Sequence, residues 1–401
     1  MNSTASRPLD VCIRGQGAVG SCLALALSRQ GWQVGLAGLA GPAGPAETAN
    51  GHTPRREPDV RAYALNAASM GLLRELRVWD ALPAHAITAV DTMDVRGDDG
   101  GRLGFSAWTQ SVDALAWIVD AAALDEALAQ ALHFAPHVQR LKADDARVQP
   151  THAGAAFDPT RPLLAVCEGR DSATRDILGA DWHKHGYGHQ AIAARLVADV
   201  PHQGVARQWF RSPDILALLP FDRPEPTRSY ALVWSLPDAM VAERLALDDA
   251  GFEAALNEAS GGAAGTLRLA GPRVAWPLML AQARRWCGPG WVLLGDAAHA
   301  VHPLAGQGLN LGLGDVRALV DVLVAARADT PWRAAGDERT LRRYVRQRQA
   351  PTRAMGTLTD GLLHLFAAPD APLRSLRNAG MSAVDRLGPV KRWLTARALD
   401  A

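Results

Sequence analysis

The chain has 401 residues, a hydrophobic fraction of 48% and a formal net charge of +1. That length allows one large domain or two interleaved ones around a substantial core, and the near-neutral charge gives no case for a nucleic-acid partner. The cysteines are Cys12, Cys22, Cys167 and Cys287, and their spacing fits neither a zinc site nor a redox pair, so no metal site is expected.

Leu9 to Ile13 reads as a short buried strand. It runs into Gly15-Gln16-Gly17-Ala18-Val19-Gly20 and then into a helix from about Ala18 to Gln30, which Gly31 stops. A second strand follows at Gln33 to Leu36. This is a βαβ unit with G-x-G-x-x-G at its first turn, the arrangement that places a dinucleotide pyrophosphate on a helix N-terminus. Gly15 permits the turn, Gly17 admits the pyrophosphate, and Gly20 lets helix and strand pack closely; Ala18 and Val19 open the helix. The acid that usually ends the second strand is missing: its place falls near Ala37 and Gly38, and no acidic residue occurs between Asp10 and Glu47. A charge-assisted hydrogen bond contributes about 1.5–3 kcal/mol, so weaker dinucleotide binding is expected.

Gly38 to Pro58 reads as a Gly/Pro-rich surface loop. Asp59-x-Arg61-x-x-Ala64-Leu65 then leads to a helix whose N-cap is Asn66. Ile87 to Phe105 alternates and holds Asp98-Asp99-Gly100-Gly101, a hairpin signal. Leu115 to Leu132 reads as helix, and Lys142 to Arg161 is polar and poorly patterned. Leu163 to Cys167 is another buried strand, continuing as Glu168-Gly169-Arg170-Asp171-Ser172-Ala173-Thr174-Arg175. From Gln190 to Leu236 the pattern is β runs with polar turns, read as an antiparallel sheet forming one wall of a substrate cavity. Of Trp209, Phe210, Leu216, Leu218, Trp234 and Trp276, most are expected to be core and a few to face the cavity. Glu243 to Glu258 reads as helix, and Thr266 to Trp276 as the return from that sheet.

Trp291 to Leu294 is a last buried strand. It opens on G-D-A-A-H-A-V-H-P-L-A-G-Q-G-L-N-L-G-L-G-D, residues 295–315, whose second half already has helical spacing. Such a turn leaves bare backbone N–H groups at a helix N-terminus. His299 and His302 are tempting as acid–base groups, but a histidine in a packed turn more often satisfies backbone groups. From Asp337 onwards the chain is helical, with Arg342, Arg343, Arg346, Arg348 and Arg353 as a basic cluster. No signal core precedes Leu9 and no run reaches transmembrane length. The expectation is a cytoplasmic protein, with peripheral association to the inner membrane or to other subunits left open.

The segment 295–315 closely resembles the C-terminal flavin motif of the aromatic-ring hydroxylases of the p-hydroxybenzoate hydroxylase superfamily, in the variant carried by the ubiquinone-biosynthesis hydroxylases. D-x-R-x-x-A-L at 59–65 resembles the same group. So does E-G-R-D-S-A-T-R at 168–175, where Glu168 stands in place of the usual Asp. The resemblance implies an α/β fold in which a Rossmann-like FAD-binding domain (1–80, 106–185 and 277–330) is interleaved with a β-sheet substrate domain (81–105 and 186–276). C-terminal helices would follow over 331–401. It implies FAD as cofactor, NAD(P)H as co-substrate, dioxygen as oxidant, and ring hydroxylation through a flavin C4a-hydroperoxide. No catalytic side chain is identified. Gly15, Gly17, Ala18, Val19 and Gly20 would hold the pyrophosphate, Arg61 would lie beside the flavin, and Asp296 would accept from the ribityl chain. Pro303 would sit beside the isoalloxazine, while Gly306, Gln307, Gly308 and Asn310 would face its pyrimidine edge. A polyprenylated phenol is the implied substrate; a small soluble aromatic substrate, or a cofactor-poor scaffold subunit, are the alternatives.

Overall fold

The computed structural model describes residues 7–38, 59–98, 100–152, 154, 156–300 and 307–367. The expected loop over 39–58, Pro303, Gly306, His302 and everything after Ala367 lie outside the described residues. The chain opens with β1 (Val11–Arg14), α1 (Ala18–Arg29) and β2 (Val34–Ala37), the βαβ unit read from the sequence. It continues through β3 (Ala62–Leu65), α2 (Ala67–Glu75), β4 (Ile87–Val90), β5 (Thr92–Gly97) and β6 (Arg102–Ser106). Then come the short α3 (Ala107–Gln110), β7 (Ala116–Asp120), α4 (Ala121–His133), β8 (Val138–Leu141), β9 (Leu163–Val166) and α5 (Ala173–Ile177). The β-rich stretch is β10 (Trp182–Ala198), β11 (Val205–Phe210), β12 (Ile215–Phe221) and β13 (Ser229–Pro237). After α6 (Asp238–Ala246) and α7 (Asp249–Ser260) the chain forms β14 (Leu267–Leu269), β15 (Val274–Ala283), β16 (Cys287–Gly288), β17 (Trp291–Leu293) and β18 (His299–Ala300). It ends in α8 (Gln307–Asp329) and α9 (Glu338–Ala367).

The fold is α/β. A six-stranded sheet has the order β16-β17-β9-β1-β2-β8, and all its pairings are parallel except β16 with β17. Its strands β1, β2, β9 and β17 are short apolar runs because helices cover both faces; Cys12 and Cys167 are plain core within it. A nine-stranded sheet has the order β18-β15-β10-β13-β12-β11-β5-β6, with β14 also on β10. The third sheet, β3-β7-β4, packs against β12 of the large sheet and against α8.

Several elements differ from the sequence reading. Residues 116–120, read as helix, are the central strand of the third sheet, and the helix begins only where the Asp120 carboxylate accepts from the Ala123 N–H at 3.0 Å. An unbroken apolar run adjoining a helix has no period of its own to separate it. The helix read over 243–258 is two, α6 and α7, divided where Asp248 caps α7 through the Gly251 N–H. The hairpin β5–β6 forms, but β5 joins the large sheet by a parallel pairing with β11, so that sheet is not wholly antiparallel. β10 starts at Trp182, eight residues earlier than read, and its polar first half pairs with β15 across a bulge between Gly186 and Gln190. Residues 138–141, at the edge of the poorly patterned stretch, form a strand on β2. Among the described residues no helix is long and apolar enough to cross a membrane.

Candidate functional site

The two glycine turns meet. β1 and β17 flank β9, so the turn after β1 and the turn after β17 lie at the same end of one parallel sheet, the end where such sheets bind ligands. The Val19 side chain is the joint: a Cβ added to Gly312 would lie 2.6 Å from its Cγ2, and one added to Gly295 would lie 3.2 Å from it.

Within the first turn the glycines have different tasks. Gly15 has φ +111, and a Cβ there would lie 2.1 Å from the Cys167 carbonyl oxygen; a Cβ on Gly20 would lie 2.0 Å from the Gly15 oxygen. Both therefore allow backbone to pack on backbone. Gly17, by contrast, faces open space and is the N-cap of α1 with no side-chain capping bond. Its helix presents free N–H groups to the cleft, bordered by Ala18 and Val19. At the end of β2, where an acid is missing, the Gln16 amide lies 3.4–3.5 Å from the position of a Gly38 Cβ.

Between the turns and the large sheet is a cleft of about 480 Å³. On the turn side it is lined by Gly17, Tyr63, Arg170, Asp296, Gly308 and Leu309. Asp296 is exposed to this cleft and makes no hydrogen bond with the described residues. The surrounding protein displaces water and pushes its carboxyl above the usual range, against the pull of His299 and Arg170. A Cβ on Gly308 would lie 3.9 Å from Asp296 Oδ1, so the start of α8 lies beside that carboxylate. Gln307 is the first residue of α8. Asn310 is bound to protein: its Oδ1 accepts from the Asn66 N–H at 3.0 Å and its Nδ2 donates to the Ala64 carbonyl at 2.8 Å. It thereby ties α8 to the cap of α2, where Asn66 also accepts from the Ser69 N–H as expected of an N-cap.

Arg61 lies on the rim with its guanidinium on the Asp59 carboxylate, at 2.6 Å, and 3.7 Å from Asp125. That partner neutralises much of the charge Arg61 could offer the site. Glu168 is structural: its carboxylate accepts from Arg14 Nε at 2.8 Å, Ser172 Oγ at 2.7 Å, and both Thr174 Oγ1 and N–H. Burial alone would raise its pKa, but these donors hold it below the usual range. Arg175 likewise turns inward, stacking 3.9 Å from the Trp182 ring centre and donating to the Arg170 carbonyl at 2.9 Å.

The opposite wall is the large sheet, whose cleft face carries Ala191, Ala193, Leu219, Ala231 and Val233. Register aligns them: Ala193 pairs with Val233, Leu219 with Ala231, and Ala191 with Trp276. Small side chains there open the cleft. Of the aromatic residues singled out, Trp276 lines it, while Trp209 and Trp234 are core on the sheet's other face. The alanine wall was not readable in advance, because facing in or out depends on a register that only pairing defines. Behind the second turn, His299 Nε2 and Arg348 Nε both reach the buried Asp315 carboxylate, a link between distant residues that the sequence reading missed.

The profile of the FAD binding domain family matches residues 8–358. The chain is 31% identical to ubiquinone hydroxylase UbiL of Rhodospirillum rubrum, over 100% of this chain and 91% of that one. It is 30% identical to 3-demethoxyubiquinol 3-hydroxylase of Escherichia coli, over 98% and 99%. Among solved structures, p-nitrophenol 4-monooxygenase PnpA of Pseudomonas putida superposes with a TM-score of 0.73 at 17% identity over 98% of both chains. PqsL of Pseudomonas aeruginosa superposes with 0.70 at 22% identity over 94% of this chain and 99% of that one. The chain therefore belongs to the FAD-binding monooxygenases of the p-hydroxybenzoate hydroxylase superfamily, and within them it is related to the ubiquinone-biosynthesis hydroxylases.

Proposed function

We propose that this protein hydroxylates the ring of a polyprenylated phenol in ubiquinone biosynthesis, using FAD, NAD(P)H and dioxygen. The observation that carries this reading is the single cleft in which an uncapped helix N-terminus, a carboxylate without a hydrogen bond among the described residues and an alanine-floored apolar wall face one another. Full-length relationship to two ubiquinone-pathway hydroxylases supports the substrate class.

The residues present fit FAD. The open α1 N-terminus at Gly17, with Ala18, Val19 and Gly20, suits a pyrophosphate, which is stabilised by free N–H groups and the helix dipole. Asp296 accepts from a ribityl hydroxyl, which satisfies a carboxylate that has no hydrogen bond among the described residues. The start of α8 at Gln307 and Gly308 offers N–H groups to an electron-rich ring edge, and Pro303 and Gly306 belong to the same proposed contact. Arg61 holds the rim through Asp59, while Asn310 holds α8 in place. When bound, FAD supplies the electron transfer and oxygen chemistry that no side chain here can perform. The protein's own part is to orient the phenol ring against the cofactor with Ala193, Ala231 and Trp276, and to exclude water with that apolar wall. A polyprenylated substrate is met at a membrane surface, so a cytoplasmic protein peripheral to the inner membrane is part of the same proposal.

The test is purification followed by substrate-dependent turnover. The protein is expected to be yellow, or to become so with FAD. It should oxidise NAD(P)H faster with a prenylphenol than with a small benzoate, incorporating one atom of labelled dioxygen. Stimulation by the benzoate alone would overturn the substrate class, and failure to take up FAD would overturn the reading altogether.

A further inference from the structure

A second cavity, of about 350 Å³, lies where β10, β15 and α9 meet. It is separate from the cleft: His299 and Ala300 are consecutive on β18 and face opposite ways, Ala300 into the cleft and His299 into this cavity. Its lining holds Lys184 and Arg353, flanked by His183 and His185, and among the described residues no Asp or Glu. Two lining residues carry buried polar atoms without a hydrogen-bond partner, Thr352 Oγ1 and Gln282 Nε2. Thr352 is only 3% exposed. A buried donor left unpaired is a standing cost to the fold unless a ligand or rearrangement satisfies it. The early start of β10 creates this feature, since residues 183–185 would otherwise be a polar loop away from β15.

We propose that this cavity binds a phosphate ester, with Lys184 and Arg353 on the phosphate. An ammonium and a guanidinium together supply more donors than a carboxylate's two oxygens can use, and they suit the three terminal oxygens of a phosphate. The space is more than a bare ion fills, and Leu280, Ala281 and Gly356 give the organic part an apolar wall. The phosphorylated nicotinamide dinucleotide is the source that follows from the proposed function, and that identification alone rests on it. Inorganic phosphate and other esters share the same chemistry.

The experiment is calorimetric titration of the FAD-loaded full chain with inorganic phosphate, NADP+ and NAD+, repeated on Lys184→Ala/Arg353→Ala and on Thr352→Val. Both basic side chains are exposed, so the double variant should fold and keep its FAD. Saturable phosphate binding is expected, with NADP+ tighter than NAD+, and both weakened about tenfold or more in the double variant. Phosphate binding without preference for NADP+ supports the site and assigns it to another ester. No saturable binding of any of the three, or equal binding by the double variant, overturns the proposal. Anaerobic reduction of the flavin by NADPH is followed separately: its absence defeats the reductant reading, while the phosphate titration still decides the site.

Discussion

His299 Nε2 lies 2.6 Å from Asp315 Oδ2, with both side chains almost wholly buried, and the other oxygen of that carboxylate is 2.7 Å from Arg348 Nε. The Asp315 carboxylate also accepts the Gly295 N–H at 2.9 Å. One group thus joins β18, α9 and the first residue of the second glycine turn. Burial alone would raise its pKa, but His299 and Arg348 hold it below its ordinary 3.8. Removing the carboxylate leaves a buried imidazole and a part-buried guanidinium without their shared acid, so Asp315→Ala is expected to cost about 3–5 kcal/mol of stability, measured by urea denaturation. A depressed folded-state pKa means stability that is present above the unfolded value and lost as pH falls through the lower folded one. The wild type should therefore weaken on acidification below about 3.8, and Asp315→Asn should flatten that limb. An unchanged acid limb in the variant would remove Asp315 from this role.

The glycines of the first turn separate packing from ligand access. Gly15→Ala and Gly20→Ala each drive a Cβ to within about 2 Å of backbone, a contact that requires the β1–α1–β9 junction to move. Both should destabilise the apoprotein by several kcal/mol or prevent folding. The Cβ of Gly17→Val meets nothing within 4 Å. Its melting temperature without FAD should stay near wild type while FAD affinity falls at least about tenfold. Equal loss of apoprotein stability in all three variants would show that Gly17 too is a packing glycine.

Asp296 provides the complementary case, a carboxylate that the protein crowds and that makes no hydrogen bond with the described residues. Its raised folded-state pKa means that the unliganded protein gains stability as pH falls through that value. Asp296→Asn should thus leave the apoprotein as stable or more stable near neutral pH. The same change should weaken FAD binding by the worth of one charge-assisted hydrogen bond, about 1.5–3 kcal/mol, or roughly ten- to hundredfold. Thermal melts with and without FAD read both effects from one preparation.

What was legible in the sequence was what is local. Gly15 to Gly20, the Asn66 cap, the hairpin at 98–101 and the strand before Gly295 are each encoded within a few residues. Pairings across the chain were not. Asp315 and Arg348 are 33 residues apart and Arg14 and Glu168 are 154 apart, and nothing in either neighbourhood names the other. The place of Glu168 in its motif was visible, whereas its four donors were not. The strand at 116–120 was absorbed into α4 because both are apolar, and only its partners β3 and β4 make it a strand.

The alanine wall offers the sharpest test of the substrate side, because adjacent residues on β10 face opposite environments. Ala193 and Ala231 face the cleft. Ala194 is fully buried on the other face, in the core with Trp234 and Phe252. Enlarging Ala194 to Phe overpacks that core and should cost about 1–3 kcal/mol or more. Enlarging Ala193 or Ala231 to Phe instead fills cleft volume. The fold and the FAD contacts on the facing wall should survive, with FAD affinity within about twofold of wild type, while KM for a bulky phenol rises about tenfold or more. A small phenol should be affected less, since it needs less of the space removed. Should Ala193→Phe and Ala231→Phe bind and turn over the bulky phenol as the wild type does, the ring must lie against some other surface, and the cleft's apolar floor would be there only to cover the cofactor.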